Sequence, residues 1–292
     1  MQDTDPLVVY GPREAEQPLV LDSPHSGRVQ PPDFHTVLDA PALRTAEDSF
    51  VDELYLPATQ RGIPLLAARW SRVYLDVNRL ADDIDPELLD APWPGAMAAS
   101  GKAHLGKALL WRTLDDGRPV YARRLTLAEV RQRIQRCHAP YHQTLRGLLD
   151  AAHRRFGHVV HINCHSMNAV AGAQGEGGAG VARADFVLGD RDGTTCDPAL
   201  TQFVRATLTA MGYDVRVNDP FKGVALVQAY SDPAAGRHSL QIEINKRLYM
   251  HEQTQQRHAG FATLQAHLMQ LVDALTAHTA ARAVDGSTQR RT

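Results

Sequence analysis

Short aliphatic and β-branched runs alternate along this chain with longer amphipathic stretches, and that alternation restricts the fold to an α/β arrangement. Strand-like runs are read at 18–23, 61–68, 72–77, 157–164, 185–189, 213–217 and 239–245. Helical spacing is read over 48–60, 127–155, 198–211 and 253–280, the second stretch interrupted by Pro140. The chain has 292 residues, a length that allows one large domain or two smaller ones. No internal repeat is visible, and the glycine-rich stretch 169–180 is too short for a domain linker, so it reads as a loop. The expectation is one domain over 1–284 and a frayed tail over 285–292.

Thirty-one basic side chains face 33 acidic ones without forming blocks, which argues against nucleic acid or an anionic membrane as partner. No run approaches the ~20 apolar residues that span a bilayer. The acidic start lacks the features of a secretion signal. Cys137, Cys164 and Cys196 are odd in number and have no CxxC spacing, the pattern of reduced thiols in a cytoplasmic protein. Nothing in the sequence fixes the oligomeric state.

Polar residues collect where the strand-like runs end. His25, Asn78 and Arg79, His165 and Ser166, and Glu243 lie at or just beyond the C-terminal ends of four predicted strands. Ligands of open α/β sheets bind in the crevice outside those ends, so four clusters from distant segments suggest one composite site. Of the 14 histidines, only His25 and His165 follow an apolar strand and precede a serine in a turn-forming stretch. Each could be a metal ligand or an ordinary turn histidine. Glu47 and Asp48 could supply a carboxylate ligand or simply cap a helix. In Leu240-Gln-Ile-Glu-Ile-Asn, alternation sets Gln241, Glu243 and Asn245 opposite Leu240, Ile242 and Ile244. Glu243 therefore faces a site as a general base, or pairs with Lys246 or Arg247. Arg79 offers the planar fork that grips a carboxylate, or pairs with Asp82, Asp83 or Asp85.

Several segments taken in order resemble the N-formylglutamate amidohydrolase family. They are Ser23-Pro-His-Ser-Gly, Glu47-Asp-Ser-Phe-Val-Asp-Glu-Leu-Tyr, Ser71-Arg-Val-Tyr-Leu-Asp-Val-Asn-Arg and Gly101-Lys-Ala-His-Leu-Gly-Lys. Ala139-Pro-Tyr-His, Asn163-Cys-His-Ser-Met-Asn, Asp219-Pro-Phe-Lys-Gly and Gly236-Arg-His-Ser-Leu-Gln-Ile-Glu-Ile-Asn-Lys-Arg follow. The family is similar in turn to zinc carboxypeptidases and aspartoacylase-like deacylases. The resemblance implies a three-layer α/β/α fold around a mixed sheet and a zinc ion, or another divalent metal, held by His25, Asp48 and His165, with Glu47 the fallback for Asp48.

The same resemblance implies Glu243 as general base and Asn78 with Arg79 on a substrate carboxylate. A second substrate carboxylate would need a second cation, with Arg72, Lys222 and Arg237 as candidates. His142 is read as a packed helix residue rather than a partner of a ligand. The implied reaction is hydrolysis of N-formyl-L-glutamate, a compound of one route of histidine breakdown, to formate and glutamate. A deacylase or carboxypeptidase acting on another N-acyl acidic amino acid, or a binding protein without turnover, are the alternatives.

Overall fold

The computed structural model describes residues 5–98, 101–172 and 178–289, the last nine of these by backbone alone. Its centre is a seven-stranded sheet. In chain order the strands are β1 (Leu7–Tyr10), β2 (Leu19–Ser23), β3 (Leu65–Ala68), β4 (Val159–Met167), β5 (Phe186–Gly189), β6 (Val215–Val217) and β7 (Arg237–Asn245). Their order across the sheet is β1-β3-β2-β4-β7-β5-β6. β3, β2, β4 and β7 run parallel, while β1 and the β5–β6 pair join antiparallel. The sheet is therefore mixed, and the C-terminal ends of β2, β4 and β7 share one edge. Beyond β7 lies a small hairpin of β8 (Met250–His251) and β9 (Gln256–Arg257).

The helices are α1 (Ala40–Arg44), α2 (Val51–Tyr55), α3 (Leu127–Arg133), α4 (Ala139–Phe156), α5 (Pro198–Ala210), α6 (Ala225–Ala229) and α7 (Gly260–Gln289). Two apolar clusters, one on each face of the sheet, produce the three layers. One joins Val20 and Leu66 to Val130 of α3 and to Tyr141, Leu145, Leu148 and Leu149 of α4. The other joins Leu19, Leu21, Ile162 and Ile242 to Val51 of α2, Leu200 of α5 and Leu268 of α7. The α4 residues recur at helical spacing on one stripe. Each such aliphatic side chain contributes roughly 1.5–3 kcal/mol when fully buried.

Four expectations need correction. Residues 72–77 form turns, not a strand: their amides bond locally or to Leu109 O, and no neighbouring strand offers a ladder. The helix expected over 48–60 begins only at Val51, because Phe50 sits at φ 67°, and it tightens to a 3-10 turn over Leu56–Arg61. β4 does not stop before His165 but carries on through Met167. The last helix starts at Gly260 because 250–257 folds into the hairpin. The sequence also hid β1, which lies in the acidic start where no strand was expected. The loop expected over 169–180 lies partly outside the described residues. The tail over 285–292 falls on residues whose side chains, and from 290 the backbone too, lie outside them.

Candidate active site

Three segments converge at the shared edge of β2, β4 and β7. The turn after β2 carries His25. Gly27 is required there, because a Cβ would lie 2.1 Å from Trp70 O. The turn is stitched to the loop before α2: Asp48 N donates to His25 O at 3.0 Å, and Asp52 N donates to Ser26 Oγ at 3.1 Å. That loop carries Asp48. Phe50, in the left-handed region, delays the helix, so Asp48 is not a cap and turns inward. Its neighbour Glu47 turns instead toward Arg44 and Ser49. β4 supplies His165, and in parallel register beside it β7 supplies Glu243.

His25, Asp48 and His165 are all buried, and their ligand atoms lie within 4.8 Å of one another. The surrounding hydrogen bonds assign the tautomers. Asp76 Oδ1 is 2.7 Å from His25 Nε2 and accepts from Asn78 N at 2.9 Å. Its Oδ2 receives Arg72 Nη2 at 2.7 Å. Burial alone would raise the Asp76 carboxyl, but Arg72 and His25 outweigh it and hold it well below the usual carboxylate range. An ionised acceptor there draws the ring proton to Nε2. His25 Nδ1 is then a lone pair, buried without a hydrogen-bond partner, 3.4 Å from Asp48 Oδ2.

His165 is oriented in the same sense through a longer chain. Asn163 Nδ2 donates to Asp22 Oδ1 at 2.8 Å, which turns Asn163 Oδ1 toward His165 Nε2, also at 2.8 Å. Asp22 is fully buried, and burial would raise it. His161, Asn163 and Tyr141 nevertheless hold it below its ordinary value. His165 Nδ1 therefore faces Asp48 Oδ2 at 2.9 Å with its lone pair. Burial favours the neutral ring against the pull of Asp48. Asp48, despite its own burial, is held well below the carboxylate range by its closeness to the two histidines. Two unprotonated imidazole nitrogens and an ionised carboxylate directed at one point repel one another unless a cation sits among them. Mixed imidazole and carboxylate donors with ordered outer partners suit zinc, and also admit manganese, cobalt or iron.

The trio opens into a cleft of about 200 Å³ that Asn78, Arg79, Arg72, Lys222 and Glu243 also line. Glu243 is buried and accepts from Gln241 Nε2 at 2.9 Å. Its expected alternative partners are engaged elsewhere: Arg247 with Asp185 at 2.7 Å and Lys246 with Asn168 at 3.0 Å. Arg79 pairs with none of the expected aspartates. It donates to Lys107 O and Asn78 O, both at 3.2 Å. Asn78 does not reach openly for a ligand either: its Oδ1 accepts from Leu226 N at 3.0 Å, and its Nδ2, 3.1 Å from the protonated His165 Nε2, makes no hydrogen bond to that ring. Arg237 lies elsewhere: it opens β7 at the opposite end of the strand and pairs with Asp150 at 2.8 Å.

The segment 76–79 is braced from behind by a stacked pair of histidines 4.0 Å apart. His142 Nε2 bonds Val77 O at 2.8 Å, and His138 Nε2 bonds Arg79 O at 2.9 Å. A π-helical turn, Ile134–His138, brings His138 into line between α3 and α4. His142 is thus a packed helix residue that fixes the loop bearing Asp76 and Arg79. Asp22 and Asp76 were not read as site residues. The signal was present, because each is an acid inside an apolar run, the property that singled out Glu243.

Cations dominate the cleft wall. Arg72, Arg79, Lys102 and Lys107 come from the loops after β3, and Arg183, Lys222 and Lys246 from later segments. Among the described residues that line it, only Asp48, Asp115 and Glu243 oppose them. Such a surface concentrates small anions. Among the described residues no helix is long and apolar enough to cross a membrane.

The sequence pattern of the N-formylglutamate amidohydrolase family matches residues 17–250. The N-formylglutamate deformylase of Pseudomonas aeruginosa is 33% identical over 241 residues, covering 81% of this chain and 83% of its own. That of Pseudomonas putida is 30% identical over 239 residues, covering 80% and 82%. The crystal structure of an N-formylglutamate amidohydrolase from Ralstonia eutropha superposes with a TM-score of 0.88 at 44% identity, over 94% of this chain and 99% of that one. A gene product of Agrobacterium tumefaciens, 18% identical with a TM-score of 0.63, shares the fold.

Proposed function

The chain belongs to the N-formylglutamate amidohydrolase family, and from that premise we propose that it hydrolyses N-formyl-L-glutamate to formate and L-glutamate with a divalent metal, zinc by its donor set. The observation that carries the metal-dependent reading is the convergence of His25 Nδ1, His165 Nδ1 and Asp48 in one buried point beside Glu243. His25, Asp48 and His165 would hold the ion, which when bound supplies Lewis-acid polarisation of the formyl carbonyl and acidifies water toward a pKa of ~7.

The side chains divide the remaining work. Glu243 takes the proton of the attacking water and returns it to the departing amine nitrogen, so that the C–N bond breaks to release formic acid and a neutral amine, and the acid's proton then passes to the amine to leave formate and an ammonium. Arg79, fixed by two backbone carbonyls and by the His138–His142 brace, presents its guanidinium to a substrate carboxylate and orients the amide. Asp76 and Asn163 hold the two imidazoles in the ligating tautomer. Arg72 spends its fork on Asp76 and stands 4.0 Å from Asp48, so it stabilises the ligand cluster. Residues 1–284 act as one amidohydrolase domain in this reading, and three buried free thiols agree with a cytoplasmic enzyme.

The test of substrate class is a comparison of N-formyl-, N-acetyl- and peptidyl-glutamate under identical conditions. Equal release of formate and glutamate from the formyl compound, at a kcat/KM well above the others, supports the proposal. Faster cleavage of a longer acyl group would move the enzyme to the deacylase or carboxypeptidase alternative.

A further inference from the structure

The substrate proposed above has two carboxylates, and the cleft holds a buried cation that the reaction as described does not use. Lys246 follows β7, three positions beyond Glu243, and lines the same cleft. Although it is only 7% exposed, its ammonium donates a single hydrogen bond, to Asn168 Oδ1 at 3.0 Å. No described carboxylate lies within ion-pair distance of it. An ammonium has three donors and no acceptor, so two remain for a ligand. Burial pushes its pKa down, with Asp48 and Glu252 opposing. A buried cation with one neutral partner is costly until a counter-charge arrives.

A second cation meets the same residue. Arg183 Nη1 donates to Asn168 O at 3.4 Å, and its guanidinium lies over the Phe221 ring at 4.8 Å. Both Arg183 and Phe221 line the cleft. The candidates suggested by sequence are less suited. Arg72 is committed to Asp76, Lys222 is exposed and pairs with Asp192 at 2.9 Å, and Arg237 is outside the cleft.

Resting on the formylglutamate reading, we infer that Lys246, held by Asn168 and flanked by Arg183, binds the side-chain carboxylate of the substrate while Arg79 takes the α-carboxylate. Lys246 is then what makes the enzyme prefer an acidic side chain to its neutral, nearly isosteric amide.

The experiment measures kcat/KM for N-formyl-L-glutamate and N-formyl-L-glutamine in the wild type, Lys246→Met and Asn168→Ala, each with its metal content determined. Lys246→Met should lower the glutamate value roughly 10- to 100-fold and leave the glutamine value within about threefold. Asn168→Ala, at a partly exposed position, should weaken the same preference by a smaller factor and serves if the first variant does not fold. Equal losses on both substrates would overturn the assignment, since the ammonium would then act on the reacting centre or the fold. An unchanged preference would overturn it too. A wild type inactive on both substrates would instead remove the functional reading itself.

Discussion

Asp76 Oδ1 lies 2.7 Å from His25 Nε2, and this contact turns the other ring nitrogen toward Asp48 and His165. The bond is the shortest link between the loop 71–79 and the candidate metal ligands, and it explains why a buried aspartate is tolerated there. Replacing Asp76 with Asn removes the charge that holds the Nε2 proton and releases Arg72. Metal affinity, measured by competition with a chelator, should fall about 10- to 100-fold. Unchanged affinity would mean that His25 is oriented by something else.

Glu243 stands beside His165 in register, so its role can be separated from ligation. Glu243→Gln preserves shape and the neighbouring Gln241. The variant should bind zinc with wild-type stoichiometry while kcat falls about 10²- to 10⁴-fold. Turnover near the wild-type rate would reject Glu243 as the base.

Arg79→Ala removes the proposed α-carboxylate contact and leaves the metal trio in place. Its kcat/KM for N-formyl-L-glutamate should fall about 10- to 100-fold. The corresponding formyl amide with a neutral α-carboxamide should lose much less. Parallel losses on both compounds would show that Arg79 supports the loop rather than the substrate.

His142 gives a pH prediction remote from the ligands. Burial, then His138, lowers its pKa to about 4, against the pull of Val77 O. The unfolded ring titrates near ~6.5, so below that pH the unfolded chain takes up a proton that the folded one refuses. This group therefore contributes nothing above pH ~6.5, costs stability progressively as pH falls to about 4, and levels off below. The full cost is at most about 3 kcal/mol. Chemical denaturation at pH 7 and pH 4 should show a smaller acid loss for His142→Gln than for the wild type. Identical losses would contradict the assignment.

Much of this architecture was legible because apolar periodicity reports burial directly. The alternation around Glu243 correctly put it on the face opposite Ile242, and the runs that became β2, β3 and β7 were found. What escaped was set by tertiary partners. Residues 72–77 carry a strand-like pattern, yet they form turns whose amides are satisfied by Ser71 and Leu109. The delay of α2 to Val51 depends on the backbone of Phe50, which no propensity announces. Asp48 and Glu47 could not be separated by sequence position, because the choice is made by the His25 and Asp48 backbones meeting across the turn. Lys246 was read only as a possible partner of Glu243 and Arg183 was not singled out, because only the fold brings both to Asn168.

The central claim is that a metal among His25, Asp48 and His165 is needed to cleave formylglutamate, and formate release from N-formyl-L-glutamate by metal-stripped protein tests it most directly. The account predicts negligible release by the stripped protein and recovery on addition of one equivalent of zinc, with no recovery when His165 is replaced by Ala. Full activity in the stripped protein, or none with zinc or any other divalent metal, would contradict it.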